Sequence, residues 1–189
     1  MLEKNKVFIF IGILLFPIAF VLWQKRKIAM AKTEKEKFVR YDSLFKLYAN
    51  GRFPWRWLKA IAKQESDLGE NRLVRNGQVS SDGKSFGLMQ IAEGLGSPTE
   101  IALKGFGGQE KLNDPDYSIQ KASELVNFLN DKFRGDEFKV FLGYNQGEVN
   151  TMRGRDFTKQ HNNGRSYADL ILKHLDWIDR KEKELAWIG

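Results

Sequence analysis

Apolar positions recur at helical spacing over most of the chain. Phe38, Tyr41, Phe45 and Tyr48 follow one another at intervals of three and four, which predicts a helix that Asn50-Gly51 stops. Thr33 with Glu36 forms a capping-box pattern ahead of that stripe, and Pro54 suits the first turn of the next helix. Ser97-Pro98-Thr99-Glu100 is a second capping box with Pro at the first helical position. Ala122, Val126, Leu129 and Phe133 mark a helix from Tyr117 onward, and a shorter one ends at Gly147. A last helix starts near Arg165, with Tyr167, Ile171, His174 or Leu175, and Ile178 on one face. Polar, turn-rich segments separate these stripes at Arg75–Ser85, Gly105–Asp116 and Phe157–Gly164. Strand signals are scarce, so the pattern predicts a mostly α fold.

One helix breaks its own pattern. In Trp57–Gly69, Ile61 and Ala62 lie within about 60° of Leu58 at 100° per residue, while Arg56, Lys59 and Lys63 lie on the far, wet side. Glu65 falls only about 20° from Leu58, inside the apolar stripe. A carboxylate facing apolar neighbours loses solvation, which favours its protonated form. Such a group is a general acid, able to protonate the oxygen of a glycosidic bond. Spacing alone equally allows Glu65 to pair with an Arg or Lys or to cap another helix.

The N-terminus is of a different character. Val7–Trp23 carries no charge and would extend about 26 Å as a helix, the short end of a membrane span. Trp23 stands where an interfacial aromatic would, and Lys25-Arg26-Lys27 follow. The run predicts an uncleaved anchor. A cleaved signal peptide fits less well, because the cationic run separates the apolar core from the small residues Ala29 and Ala31. Residues 1–27 are thus expected to be a membrane anchor and 28–52 a charged linker and first helix, ahead of the main folded domain at 53–189.

Composition narrows the chemistry. The 189 residues include no Cys, which excludes disulfides and thiolate metal sites. Only His161 and His174 offer imidazole, without ligand-like spacing, so no metal or other cofactor is expected. A net charge of +7 suits a polyanionic neighbour: nucleic acid, anionic lipid or an acidic wall polymer. Lys and Arg are scattered among carboxylates with no recognised nucleic-acid motif, so no nucleic-acid partner is expected.

Four short motifs stand in order: Glu65-Ser66, Gly87-Leu88-Met89-Gln90, Tyr144-Asn145 with Gly147, and Tyr167. Together they resemble the lytic transglycosylases of the soluble-lytic-transglycosylase type, which share the goose-type lysozyme-like fold. The resemblance covers roughly Pro54 to Ile178. It implies a mostly α, lysozyme-like helical domain, here behind a single N-terminal transmembrane helix. It also implies Glu65 as the catalytic acid, with Ser66, Gly87, Met89, Gln90, Tyr144, Asn145 and Tyr167 at the substrate site. Gly87 would allow a tight turn, Met89 and Gln90 would face the sugar, and Tyr167 would orient the proton of Glu65. Asp67 and Glu70 lie near Glu65 but match no second catalytic position.

Two departures stand out. The separation of Glu65 from Gln90 is longer than the family leads one to expect, which points to an insertion at Arg75–Ser85. Gly143 and Gln146 replace the usual two alanines around Tyr144-Asn145, and Gln146 either adds a polar contact or faces solvent.

The activity implied is cleavage of the bond between N-acetylmuramic acid and N-acetylglucosamine in peptidoglycan, with closure of a 1,6-anhydro ring. The implied partners are glycan strands and, through residues 7–23, a lipid bilayer. The domain would then face the periplasm or wall from the inner membrane, in wall turnover, a secretion or conjugation machine, or a phage virion. A hydrolytic muramidase using the same Glu, and a wall-binding protein without turnover, are the alternatives.

Overall fold

The computed structural model describes residues 3–71, 74, 83–94, 97–162 and 164–188, with side chains from residue 20 onward except residue 161. The described part is mostly helical and falls into two compact units.

The first unit comprises Met1–Arg40 and Lys183–Gly189. Helix α1, Glu3–Val39, would extend about 55 Å at 1.5 Å per residue. It runs straight through Thr33, whose hydroxyl donates back to Ala29 O (3.1 Å) and so does not cap a helix start. The break falls at Arg40-Tyr41 instead, splitting the expected Phe38–Tyr48 stripe between two helices. Lys35 donates to the Ile188 carbonyl, and Lys27 lies over the Trp23 ring at 4.2 Å. Among the described residues no helix is long and apolar enough to cross a membrane. Most of Val7–Trp23 lies outside the residues whose side chains are described.

The second unit, Tyr41–Glu182, is built around one long helix. Its elements are α2 (Asp42–Ala49), α3 (Arg56–Ser66), β1 (Ser85–Phe86), β2 (Ile91–Ala92), α4 (Pro98–Ala102), α5 (Gly108–Leu112), α6 (Pro115–Lys132), α7 (Glu137–Gln146), α8 (Glu148–Met152) and α9 (Thr158–His161). Helix α10, Tyr167–Leu185, closes the unit with its first four turns. Helix α6 starts where Asp114 accepts from Asp116 N, with Pro115 at its first position. Its Ile119, Ala122, Val126 and Leu129 are fully buried, and α2, α3, α5 and α7 all pack against it. Ser123 on α6 ties down α2 by donating to Tyr48 O (2.7 Å).

Aromatic packing seats α3. Phe53 stacks on Trp57 at 5.9 Å, and Trp57 meets Phe141 of α7 edge-on at 5.2 Å. Lys59 departs from the helical-wheel reading, because it is fully buried rather than wet. Its ammonium pairs with Asp42 at 2.8 Å and lies 5.7 Å from the Trp55 ring, which offsets its desolvation. The wheel could not see Asp42, since α2 delivers it from a separate element.

Ser97 caps α4 by accepting from Glu100 N (3.1 Å), as its sequence pattern predicts. Most of the insertion Arg75–Ser85 lies outside the described residues, but its last residue pairs antiparallel with Ala92, opening a two-stranded hairpin.

Candidate active site

Helix α3 ends just past Glu65, because Asp67 and Leu68 adopt left-handed backbone (φ 55° and 56°) and turn the chain away. Ser66 is fully buried there. Its hydroxyl donates to Ala62 O (3.0 Å) and accepts from Gly69 N (3.1 Å), so it braces the turn that presents Glu65. Glu65 itself is half-buried and lines a cleft of about 480 Å³.

Tyr167, the first residue of α10, reaches Glu65 from the other side. Its hydroxyl donates to Glu65 Oε1, and the ring is 2% exposed. Burial, then the neighbouring Glu65 carboxylate, push the Tyr167 phenol well above the usual tyrosine range. The same two causes raise Tyr144. Both phenols therefore stay protonated and act as hydrogen-bond donors.

The hairpin turn forms a second wall. Gly87 is required twice over. It holds φ 72°, and a Cβ there would stand 1.7 Å from Leu112 O. Met89 is fully buried, and it is the neighbouring Gln90 and Ile91 that line the cleft. What Met89 contributes is backbone: its N–H donates to buried Ser118 Oγ of α6 (3.2 Å), and its carbonyl accepts from Tyr144 OH (2.8 Å). Gln90, held at φ 46°, turns its amide back to Gly87 O (2.8 Å). Both faces of the turn are thereby fixed to α6 and α7.

Helix α7 adds to the lining through Gly143, Tyr144, Asn145, Gln146 and the following Gly147. Asp136 caps this helix by accepting from Lys139 N (3.2 Å). A Cβ at Gly143 would come within 3.0 Å of Leu129 and Phe133 side chains, so glycine lets α7 lie close to α6. Asn145 is exposed in the cleft. The structure thus brings Glu65, Gln90, Tyr144 and Asn145 to one cavity, puts Tyr167 behind Glu65, and uses Ser66, Gly87 and Met89 as framework.

Of two further cleft residues, the sequence left Gln146 open between a polar contact and solvent and gave no sign of Thr99. Gln146 faces neither solvent alone nor a single partner. Its Nε2 donates to Thr151 Oγ1 (3.2 Å) and Arg155 O (2.6 Å), and its Oε1 accepts from Phe157 N (2.9 Å). Its replacement of a family alanine was the available signal. Thr99, which also lines the cleft, donates to the buried carboxylate of Glu148. Its place in a capping box hid it. Among the described residues no group of three His, Asp or Glu side chains is placed to hold a metal ion.

A carboxyl backed by a phenol, in a cleft that amide and hydroxyl side chains also line, is suited to proton transfer onto a polyhydroxylated ligand. Residues 43–166 match the family model of the transglycosylase SLT domain. The chain belongs to the SLT transglycosylase family. Its matched region holds every cleft-lining residue named above, and Tyr167 stands one position beyond its end. The SLT chain is also 26% identical over 151 residues to the peptidoglycan transglycosylase gp16 of Escherichia phage T7. That alignment covers 76% of this chain but spans only 11% of the phage protein. No solved structure matches.

Proposed function

We propose that this protein is a peptidoglycan lytic transglycosylase with Glu65 as its acid. The observation that carries the reading is the Tyr167 hydroxyl donating to Glu65 Oε1 at the edge of the cleft. The phenol's hydrogen bond orients the carboxyl, which carries the transferable proton. Glu65 gives it to the oxygen between N-acetylmuramic acid and N-acetylglucosamine, and the glycosidic bond breaks. The substrate's own N-acetyl group stabilises the cationic C1, as in substrate-assisted glycosidases. Glu65, now ionised, takes the proton of the muramyl 6-hydroxyl as that oxygen closes onto C1. Atoms balance without water, and the acid is regenerated.

The walls suit this task. Gln90, Asn145 and Thr99 offer hydrogen-bonding groups to hydroxyl and acetamido substituents, while Ile91, Phe106 and Leu125 offer apolar contact to ring faces. Activity on purified sacculi tests the proposal: the wild type should release muropeptides, and an inert protein would leave only a wall-binding role.

The setting belongs to the same proposal. The uncharged run Val7–Trp23 supports a bilayer anchor, with the SLT domain on the wall side of the membrane. The phage relative supports a virion as one such setting. Membrane fractionation with protease accessibility tests the anchor. A chain that leaves the membrane in a salt wash would contradict it.

A further inference from the structure

Residues 153–162 and 164–165 form a basic arch held to the cleft at two points. At one side Gln146, a cleft residue, grips Arg155 O and Phe157 N. At the other, Tyr167 N donates to Thr158 Oγ1 (2.8 Å), while the Tyr167 hydroxyl reaches Glu65. The arch is therefore held within one side chain's reach of the cleft. It carries Arg153, Arg155, Lys159 and Arg165 against a single carboxylate, Asp156. All four cations are exposed. Asp156 is already engaged, accepting from Thr158 N (3.1 Å) and Thr158 Oγ1 (2.5 Å) with Lys159 at 3.9 Å. Among the described residues no carboxylate pairs with Arg153, Arg155 or Arg165, and the Arg155 guanidinium lies 5.8 Å over the half-exposed Phe157 ring.

We infer that this basic arch is a second binding site, for the carboxylates of the peptide stems that hang from the glycan strand. The inference rests on the proposed function, which lays that strand in the adjoining cleft. The stems leave the muramyl sugar beside the scissile bond and bear carboxylates. An Arg fork recognises a carboxylate through paired N–H donors. Phe157 would give the aliphatic part of a stem an apolar contact. The position of the cations beside the cleft, on a segment fixed by cleft residues, favours a group attached to the substrate over a lipid surface or a separate polymer.

The test is steady-state cleavage of two substrates, glycan strands with peptides intact and the same strands stripped of peptides by an amidase. The variant is Arg153→Gln/Arg155→Gln/Arg165→Gln in the full chain. At roughly a twofold effect per exposed charge, KM on peptide-bearing strands should rise about tenfold, with kcat held. The salt sensitivity of that KM should fall with it. On stripped strands wild type and variant should agree within about twofold. An equal loss on both substrates, or no loss on either, would overturn the inference while leaving the activity in place. A wild type inactive on both strands would instead overturn the proposed function on which the inference rests.

Discussion

The phenol of Tyr167 donates to Glu65 Oε1, joining the first residue of α10 to the last turn of α3 across 102 positions of sequence. Tyr167→Phe removes the donor and keeps the buried ring. Glu65 becomes ionised as it gives up its proton, and a hydrogen bond to an ionised group contributes about 1.5–3 kcal/mol, so turnover of sacculi should fall roughly 10- to 100-fold. Thermal unfolding should change little by comparison. A fully active Phe variant would remove Tyr167 from the mechanism.

Gln146 is expected to act as the clamp of the arch. Gln146→Ala removes three hydrogen bonds that hold Thr151, Arg155 and Phe157 to α7. Limited trypsin digestion should then cut after Arg153 or Arg155 faster than in the wild type, because local opening costs less. Unchanged cleavage there would show that other contacts hold the segment.

Gly87→Ala tests the turn. The new Cβ would meet Leu112 O at 1.7 Å in a left-handed backbone, so the chain must shift. The expected cost is about 3 kcal/mol or more, read as a lower urea midpoint. A neutral substitution would mean that the hairpin seats differently against α5.

His174 should leave a mark on pH-dependent stability. Its imidazole contacts Gln64 at 2.9 Å and titrates below its ordinary 6.5, because burial, and after it Lys63, disfavours the charged ring. The unfolded chain therefore takes up a proton first as the pH falls. Stability is lost from about pH 7 down through 6.5 to the lower folded pKa, and this contribution is flat below it. The melting temperature of His174→Gln should depend less on pH across that window than that of the wild type. An identical slope would assign the dependence to other groups.

The longer helices α3, α6, α7 and α10 were legible because each carries a periodic stripe or an end signal of its own, and Ser97 and Pro98 mark the start of α4; the short α5 and α9 fall in segments whose polar, turn-rich composition reads as loop, and α8 carries no stripe at all. The family was legible through four ordered motifs. What could not be read depends on pairs brought together by the fold. Lys59 looks solvated on a wheel and is buried, because Asp42 arrives from α2. Met89 sits inside the Gly-Leu-Met-Gln motif, yet its side chain packs inward. The motif's work there is a backbone carbonyl held by Tyr144 and an N–H held by Ser118. Gln146 showed only as a departure from alanine, and its three partners lie on a segment whose path no local pattern specifies.

In the proposed mechanism Glu65 delivers and recovers one proton without consuming water. Mass spectrometry of sacculi digested by the wild type and by Glu65→Gln tests it most directly. The wild type should yield 1,6-anhydromuramyl products, lighter by one water than hydrolysed ones, and the folded variant none. Reducing-end muramic acid as the sole product, or anhydro products from Glu65→Gln, would contradict it.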